Sequence, residues 1–325
     1  DNWKMLCEFW SSDLRTHLTE TRWLETKARL SNVLQKFDLD DSLVLKDEPT
    51  TLLSNKLELQ KITGFDCRVF GDGIYLELKN ENFNLVLNMR RGMAIESLSF
   101  TTHKGKPCIG TLKHGHLSSI EQGADFYSGG MVIDLPLLRT KVTDLYPVNP
   151  EFHLLENGNL LIISSIISEI GPITKKIELF RSSEQIAVTY NLSQVKRSIS
   201  SVKLANITLS SDFSKSLKSY SCRVGGNEDR VFDIAGRISQ SQSASRYVSS
   251  SRGFSSTSGK VSLNFNKSKL HLSWNNSDCT PLCFIDHDGE FSRLSFSICE
   301  FDESSKESER YGDFKVILSP LEIIK

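Results

Sequence analysis

From about residue 57 onward the sequence repeats with a period of two, and this constrains the fold more than any other feature. Successive side chains of a strand point to opposite faces, so apolar residues at every second position build a sheet that is apolar on one side. Phe83, Leu85 and Leu87 alternate with Asn84, Val86 and Asn88. Strand-length segments recur at 67–70, 74–78, 94–100, 160–167, 173–180, 185–192, 203–209, 261–265, 269–274, 282–286 and 291–297. Asp72-Gly73 stands between two of them, the dipeptide that best accepts the positive φ angles of a tight hairpin. Strands at this density, with turn signals between them and no alternation of helix and strand, exclude a parallel doubly wound sheet. They predict a mostly β protein, a large antiparallel supersandwich.

The first 37 residues read differently. Leu14, Leu18, Leu24, Leu30, Val33 and Leu34 fall at near-helical spacing, with Ser12-Asp13 as a cap and no Gly or Pro inside. Three of the four tryptophans of the chain, Trp3, Trp10 and Trp23, lie here. An N-terminal α-helical segment is therefore expected. Asp, Pro and Thr crowd the next stretch without periodicity. The predicted organisation is a helical lead-in and linker over 1–56 and a β-supersandwich over 57–325.

Charge and cysteine usage narrow the partners. Lys plus Arg number 39 and Asp plus Glu 40, so no global field draws the protein to nucleic acid or to an anionic membrane. A neutral partner such as a sugar fits this balance. No apolar run reaches the roughly 18 residues needed to cross a bilayer, and no secretory signal is visible. The seven cysteines are odd in number and scattered, without a C-x-x-C pair. They read as buried thiols in a reducing compartment, hence a cytoplasmic setting.

The densest group of polar and aromatic residues spans 114–134. It reads His114-Gly115-His116, Glu121, then Gly123-Ala124-Asp125-Phe126-Tyr127-Ser128-Gly129-Gly130. Glycine-rich loops between rigid strands commonly carry function. His116 is a candidate proton carrier near neutral pH, with Asp125 or Glu121 as its carboxylate partner. Tyr127 can stack on a sugar face, and His114 can assist binding. Asn88-Met89-Arg90-Arg91-Gly92 forms a turn between strands. Arg90 and Arg91 there offer planar donors suited to sugar hydroxyls. Trp274, at a strand end, is a candidate platform or a core residue. Arg293 or Glu300 of the C-terminal run can face solvent or a groove. Half of residues 239–258 are serine, a surface loop or a lid over a ligand groove.

No metal is expected: His114 and His116 with Asp125 would make three ligands, but Gly115 argues for a loop without fixed spacing. No G-x-S-x-G elbow, phosphate loop or H-E-x-x-H helix occurs, and Gly225-Gly226 lacks the strand–helix context of a dinucleotide site. No cofactor is expected.

Three segments carry a resemblance: Asn88-Met89-Arg90-Arg91-Gly92, Ala124-Asp125-Phe126-Tyr127-Ser128-Gly129, and Phe291-Ser292-Arg293-Leu294-Ser295-Phe296-Ser297 leading to Glu300-Phe301-Asp302. Together they resemble the β-rich C-terminal region of family 57-type glycoside hydrolases, within the galactose-mutarotase-like supersandwich group. The N-terminal segment 9–17 looks like the helical end of a preceding catalytic domain. The resemblance implies a sugar-polymer context, with catalysis in an N-terminal barrel. Aldose epimerases of this group use a His acid and a Glu base. His116 lacks the matching His-Pro context, so those roles do not transfer to His116 and Glu300.

Three functions stand as expectations. The first is a carbohydrate-binding accessory domain of a polysaccharide-processing protein, with an oligosaccharide or polysaccharide and an N-terminal catalytic domain as partners. The second is a stand-alone epimerase or lyase using His116 with Asp125 or Glu121. The third is a protein-interaction scaffold docked through its aromatic helix.

Overall fold

The computed structural model describes residues 24–26, 28–29, 64–112, 123–195, 200–240, 252–300 and 311–322. The chain divides into two units, Asp1–Leu57 and Glu58–Lys325. In the first, residues 24–26 and 28–29 are helical; the rest of the expected helical lead-in and linker lies outside the described residues.

The described part of the second unit is an antiparallel β-structure. In chain order its strands are β1 (Asp66–Phe70), β2 (Tyr75–Lys79), β3 (Phe83–Asn88), β4 (Ala94–Phe100), β5 (Pro107–Gly110), β6 (Gly130–Leu135) and β7 (Thr140–Thr143). Next along the chain are β8 (Glu151–Leu154), β9 (Leu160–Ser168), β10 (Gly171–Leu179), β11 (Ile186–Asn191), β12 (Ser201–Thr208), a short helix α1 (Ser211–Ser216), β13 (Ser219–Cys222) and β14 (Arg230–Asp233). Last come β15 (Ile238–Ser239), β16 (Lys260–Asn264), β17 (Ser268–Ser273), β18 (Leu282–His287), β19 (Ser292–Cys299) and β20 (Phe314–Glu322). They form three sheets: a meander β1-β2-β3-β4-β5, a six-stranded sheet β15-β18-β19-β12-β6-β7, and a nine-stranded sheet β14-β13-β16-β17-β20-β11-β10-β9-β8. The mostly β, sandwich-type expectation holds.

The alternation seen in sequence is the burial pattern. In β3 Phe83, Leu85 and Leu87 are buried while Asn84 and Val86 are only half-buried. The hairpin at Asp72-Gly73 exists, with its loop running over 71–74, one residue longer than the sequence reading places it. Gly71, Asp72 and Gly73 all take positive φ, and the Ile74 amide donates to the Gly71 carbonyl at 3.1 Å. Aromatic side chains join the two large sheets. Phe296 of β19 lies 5.4 Å from Trp274, at the end of β17, and 5.4 Å from Phe314 of β20. Burying such side chains contributes roughly 2–3 kcal/mol each.

One core position of β10 is not apolar. Ile173, Lys175, Ile177 and Leu179 share the inward face, and Lys175 is fully buried. Its ammonium has three protons and three acceptors: the Gly129 carbonyl at 2.6 Å, the Gly92 carbonyl at 2.8 Å and Asp144 Oδ2 at 3.0 Å. Asp144, also fully buried, accepts the Met131 amide on its other oxygen at 2.9 Å. Tyr190 of β11 donates to the same Gly129 carbonyl, and the ammonium lies 5.5 Å from its ring centroid. Gly92 has φ +59°, and a Cβ there would stand 1.7 Å from the Asp144 carbonyl oxygen. The turn after β3 packs so closely that no side chain fits.

A buried histidine adds a pH-sensitive element. His103 sits among Phe100, Phe213 of α1 and Phe265, with ring centroids 6.1, 5.0 and 6.4 Å away. Burial lowers its pKa, with Glu184 acting in the opposite sense.

Replacing Lys175 with Met leaves the Asp144 carboxylate buried without its cation. The expected loss is about 3–5 kcal/mol of unfolding free energy in urea titrations; a loss under about 1 kcal/mol would mean that the site is solvated. Because the folded-state pKa of His103 is depressed, the neutral ring is the stabilising form. Its contribution is complete above the ordinary imidazole value near 6.5 and declines as pH falls below it. His103→Leu should flatten the thermal-stability profile between about pH 6.5 and 5, while His271 and His287, also lowered by burial, retain the rest of the slope.

Candidate functional site

The segment between β5 and β6 places one turn against two different sheets. Residues Gly123–Phe126 form a single 3-10 turn, and the chain leaves it through Tyr127, Ser128 and Gly129. Ser128 accepts the Ile95 amide of β4 at 2.8 Å through its carbonyl, and the Gly129 amide donates to the Asn206 carbonyl of β12 at 2.8 Å. The turn is thus stitched to the meander on one side and to the six-stranded sheet on the other.

Asp125 faces the six-stranded sheet. Arg293 of β19 is directed at it by strand pairing, since Thr208, Arg293 and Asp286 are consecutive cross-strand partners on β12, β19 and β18. The guanidinium donates to Asp125 Oδ1 at 3.2 Å, to the Asp125 carbonyl, and through Nε to Thr208 Oγ1 at 2.9 Å. Arg293 is 6% exposed. Burial lowers its pKa, with Asp125 and Asp286 opposing. Lys203 of β12 belongs to the same ionic group, its ammonium 5.3 Å from the Phe284 ring centroid. Its pKa is lowered by burial, while Glu300, Asp286 and Asp125 act to raise it. Glu300 is 2% exposed. Two cations and three carboxylates therefore share a region from which water is largely excluded, where charges interact far more strongly than at a surface.

Tyr127 faces the meander. The Arg91 guanidinium carbon lies 5.6 Å from its ring centroid, cation–π range. Arg90 and Arg91 are exposed, on the 3-10 turn Met89–Arg91 that the Asn88 side chain caps at the Arg90 amide, 3.1 Å. Tyr75 of β2 is the cross-strand partner of Asn88. Burial raises the Tyr75 pKa, Glu96 and Tyr127 raise it further and Arg90 lowers it, so these four side chains sense one another. The Glu96 carboxyl is itself raised by burial, with Asn88 and Thr111 pulling it back. Arg91 and Tyr127 meet directly, and Tyr75 stands opposite the buried Asn88 that opens the turn bearing Arg91.

Of the residues singled out in sequence, Arg90, Arg91 and Tyr127 come together here, and Asp125 lies on the same turn but points into the ionic group. Trp274 is 7% exposed and packs edge-on to Phe296; its Nε1 donates to Asn276 Oδ1 at 2.7 Å. Phe296 and Arg293 alternate along β19, so Trp274 and the ionic group lie on opposite faces of that strand. His114, His116 and Glu121 lie outside the described residues, as does 241–251 of the serine-rich stretch. Sequence reasoning passed over Tyr75, Glu96, Lys203, Thr208 and Asp286, and gave Asn88 no role beyond opening the turn over 88–92. Tyr75 and Asn88 were accessible through hairpin register. The ionic group required pairing between strands far apart in the chain. Among the described residues no group of three or more His, Cys, Asp or Glu side chains is arranged to hold a metal.

No family model matches the chain, and no curated protein matches it. Among solved structures it is similar to a galactose mutarotase-like protein from Clostridium acetobutylicum, at TM-score 0.48 and 8% identity over 80% of this chain and 98% of that one. It is also similar to an α-N-acetylgalactosaminidase from Bifidobacterium bifidum, at 0.46 and 9% over 76% of this chain and 36% of that one. A GH36 α-galactosidase from Geobacillus stearothermophilus gives 0.43 and 9%, over 78% and 41%. At these scores the function is argued from the site itself.

Arg293→Gln removes the cation that meets Asp125 and leaves three carboxylates sharing one remaining cation, Lys203. It should cost about 3–5 kcal/mol in urea unfolding, against under about 1 kcal/mol if the pair behaved as a surface salt bridge.

Proposed function

We propose that the β-domain is a carbohydrate-binding module of a polysaccharide-processing, glycoside hydrolase-like protein. The observation that carries this reading is the Tyr127 ring under Arg91, with Tyr75, Asn88 and Glu96 beside it. A sugar ring presents an apolar C–H face and a rim of hydroxyls. An aromatic face takes the first, while planar donors and a carboxyl oxygen take the second. The near-neutral charge of the chain supports a neutral ligand over nucleic acid or an anionic membrane. Asp125 fits a positioning role: held at both its carboxylate and its carbonyl by Arg293, it fixes the turn that presents Tyr127, two residues on. The resemblance of the sequence to family 57-type C-terminal regions supports a catalytic domain of the same protein as the partner. Among the described residues no two cysteines form a disulfide, and a reducing, cytoplasmic setting belongs to this reading. No described helix is long and apolar enough to cross a membrane.

A second reading, a sugar epimerase or lyase, draws on Lys203. Its half-buried amine has a pKa lowered by burial, with Glu300, Asp286 and Asp125 opposing, as a proton-transfer group requires. Turnover separates the two readings.

Glycan-array screening followed by calorimetry on the full chain should find binding without conversion of the sugar. Arg91→Ala and Tyr127→Ala should each weaken it about tenfold. Unchanged affinity in both variants would refute the site. Anomer interconversion abolished by Lys203→Met would move the function to the second reading.

A further inference from the structure

The outward face of the meander carries aromatic surface beyond Tyr127. Phe70, at the end of β1, is 37% exposed. Its ring stacks on Tyr75 with centroids 5.3 Å apart and planes 27° from parallel. The pairing Phe70↔Tyr75↔Asn88 runs straight across β1, β2 and β3, so Phe70 lies one strand further from Tyr127 than Tyr75 does. The loop between β1 and β2 is shaped for this arrangement. A Cβ at Gly71 would stand 2.9 Å from Tyr75 Cδ2, so glycine is what lets the Tyr75 ring lie over the turn. Tyr75 stacks on Phe70 and stands across β2 and β3 from Asn88, which opens the turn bearing Arg91.

Polar groups flank the whole strip. Arg68 is exposed, its guanidinium carbon 5.9 Å from the Phe70 centroid. Arg68, Arg90 and Arg91 make no ion pair among the described residues. Glu77, opposite Arg68 across the strands, instead accepts from Asn84 Nδ2 at 3.1 Å. With Glu96 also present, the strip mixes guanidinium donors with carboxyl acceptors and carries little net charge. Such a surface suits a chain rich in hydroxyls and without charge, for which every flanking group finds a donor or acceptor. The three guanidinium groups outnumber the two carboxyls by one, so an acidic polysaccharide or a single-stranded nucleic acid is the competitor that a salt titration separates from a neutral chain.

Resting on the carbohydrate-binding reading above, we infer that this site holds an extended neutral oligosaccharide over two aromatic platforms, Tyr127–Arg91 and Phe70–Tyr75, rather than a single sugar. Neighbouring strands are about 4.8 Å apart, so Phe70 on β1 lies roughly 10 Å from the end of β3 that carries the Arg91 turn, and the two platforms meet rings of a chain that are not immediate neighbours.

The inference is tested by calorimetry on the full chain with neutral α-1,4- and β-1,4-linked gluco-oligosaccharides of increasing length. Affinity should rise about tenfold from disaccharide to tetrasaccharide and change little with added salt. Phe70→Ala should erase that gain while leaving disaccharide affinity unchanged, and Tyr127→Ala should weaken every length. Because Phe70 is exposed, the variant folds, and unchanged thermal unfolding verifies this. Affinity independent of length, or a length gain that survives Phe70→Ala, overturns the two-platform assignment and leaves the binding module standing. Tighter, salt-sensitive binding of polygalacturonate or poly(U) overturns the neutral-chain assignment. Absence of binding to any glycan overturns the underlying reading as well.

Discussion

The ammonium of Lys175 holds together what the hydrophobic core alone would leave loose. It rises from the nine-stranded sheet and ends on the turn of the meander, on the entry to β6 and on the acid just after β7. Burying a lone cation costs several kcal/mol, and attraction to one carboxylate does not reliably offset that. What makes the arrangement tenable is complete hydrogen bonding: three protons meet three acceptors, and both Asp144 oxygens are engaged. An apolar side chain of similar volume would fill the space but fix nothing. The charged pair specifies which backbone segments converge, and at what distance.

That convergence reaches the candidate site. Gly92 closes the turn bearing Arg90 and Arg91, and Gly129 closes the one bearing Asp125 and Tyr127. Both carbonyls lie on the same ammonium. The exposed Arg91 and the half-buried Tyr127 are thus two short arms extending from a single buried anchor. The Arg293 contacts to Asp125 fix the second arm from the opposite direction. A binding surface built on short turns gains its rigidity from such contacts behind it.

Much of the fold was legible because period-two burial is a local property. The strand at Phe83, Leu85 and Leu87 and the Asp72-Gly73 hairpin were readable within a few residues. The short strands β5 to β8 and β13 to β15 were not. Four residues such as Ser219–Cys222 offer too few alternations to distinguish strand from loop, and all four are buried. β20 has nine residues but includes Pro320, which argues against a strand interior on sequence grounds. The site divides in the same way. Arg90, Arg91 and Tyr127 stood out as planar or aromatic residues in glycine-bounded turns. Lys203, Asp286 and Arg293 become a group only through pairing between strands far apart in the chain. Lys175 was in principle visible: in Ile173-x-Lys175-x-Ile177-x-Leu179 the period of two places a lysine on the apolar face, and an inward lysine demands a buried acid.

The three acceptors of Lys175 lie 83, 46 and 31 positions away in sequence. Desolvating the ammonium is unfavourable until Gly92, Gly129 and Asp144 are all in place, so the anchor cannot act as a local nucleus of folding. Each loop must close before any of them is rewarded, and chains dominated by such distant pairings fold slowly. The meander, whose strands pair with immediate neighbours, is free to assemble first, with the ammonium locking it to the larger sheets at the end.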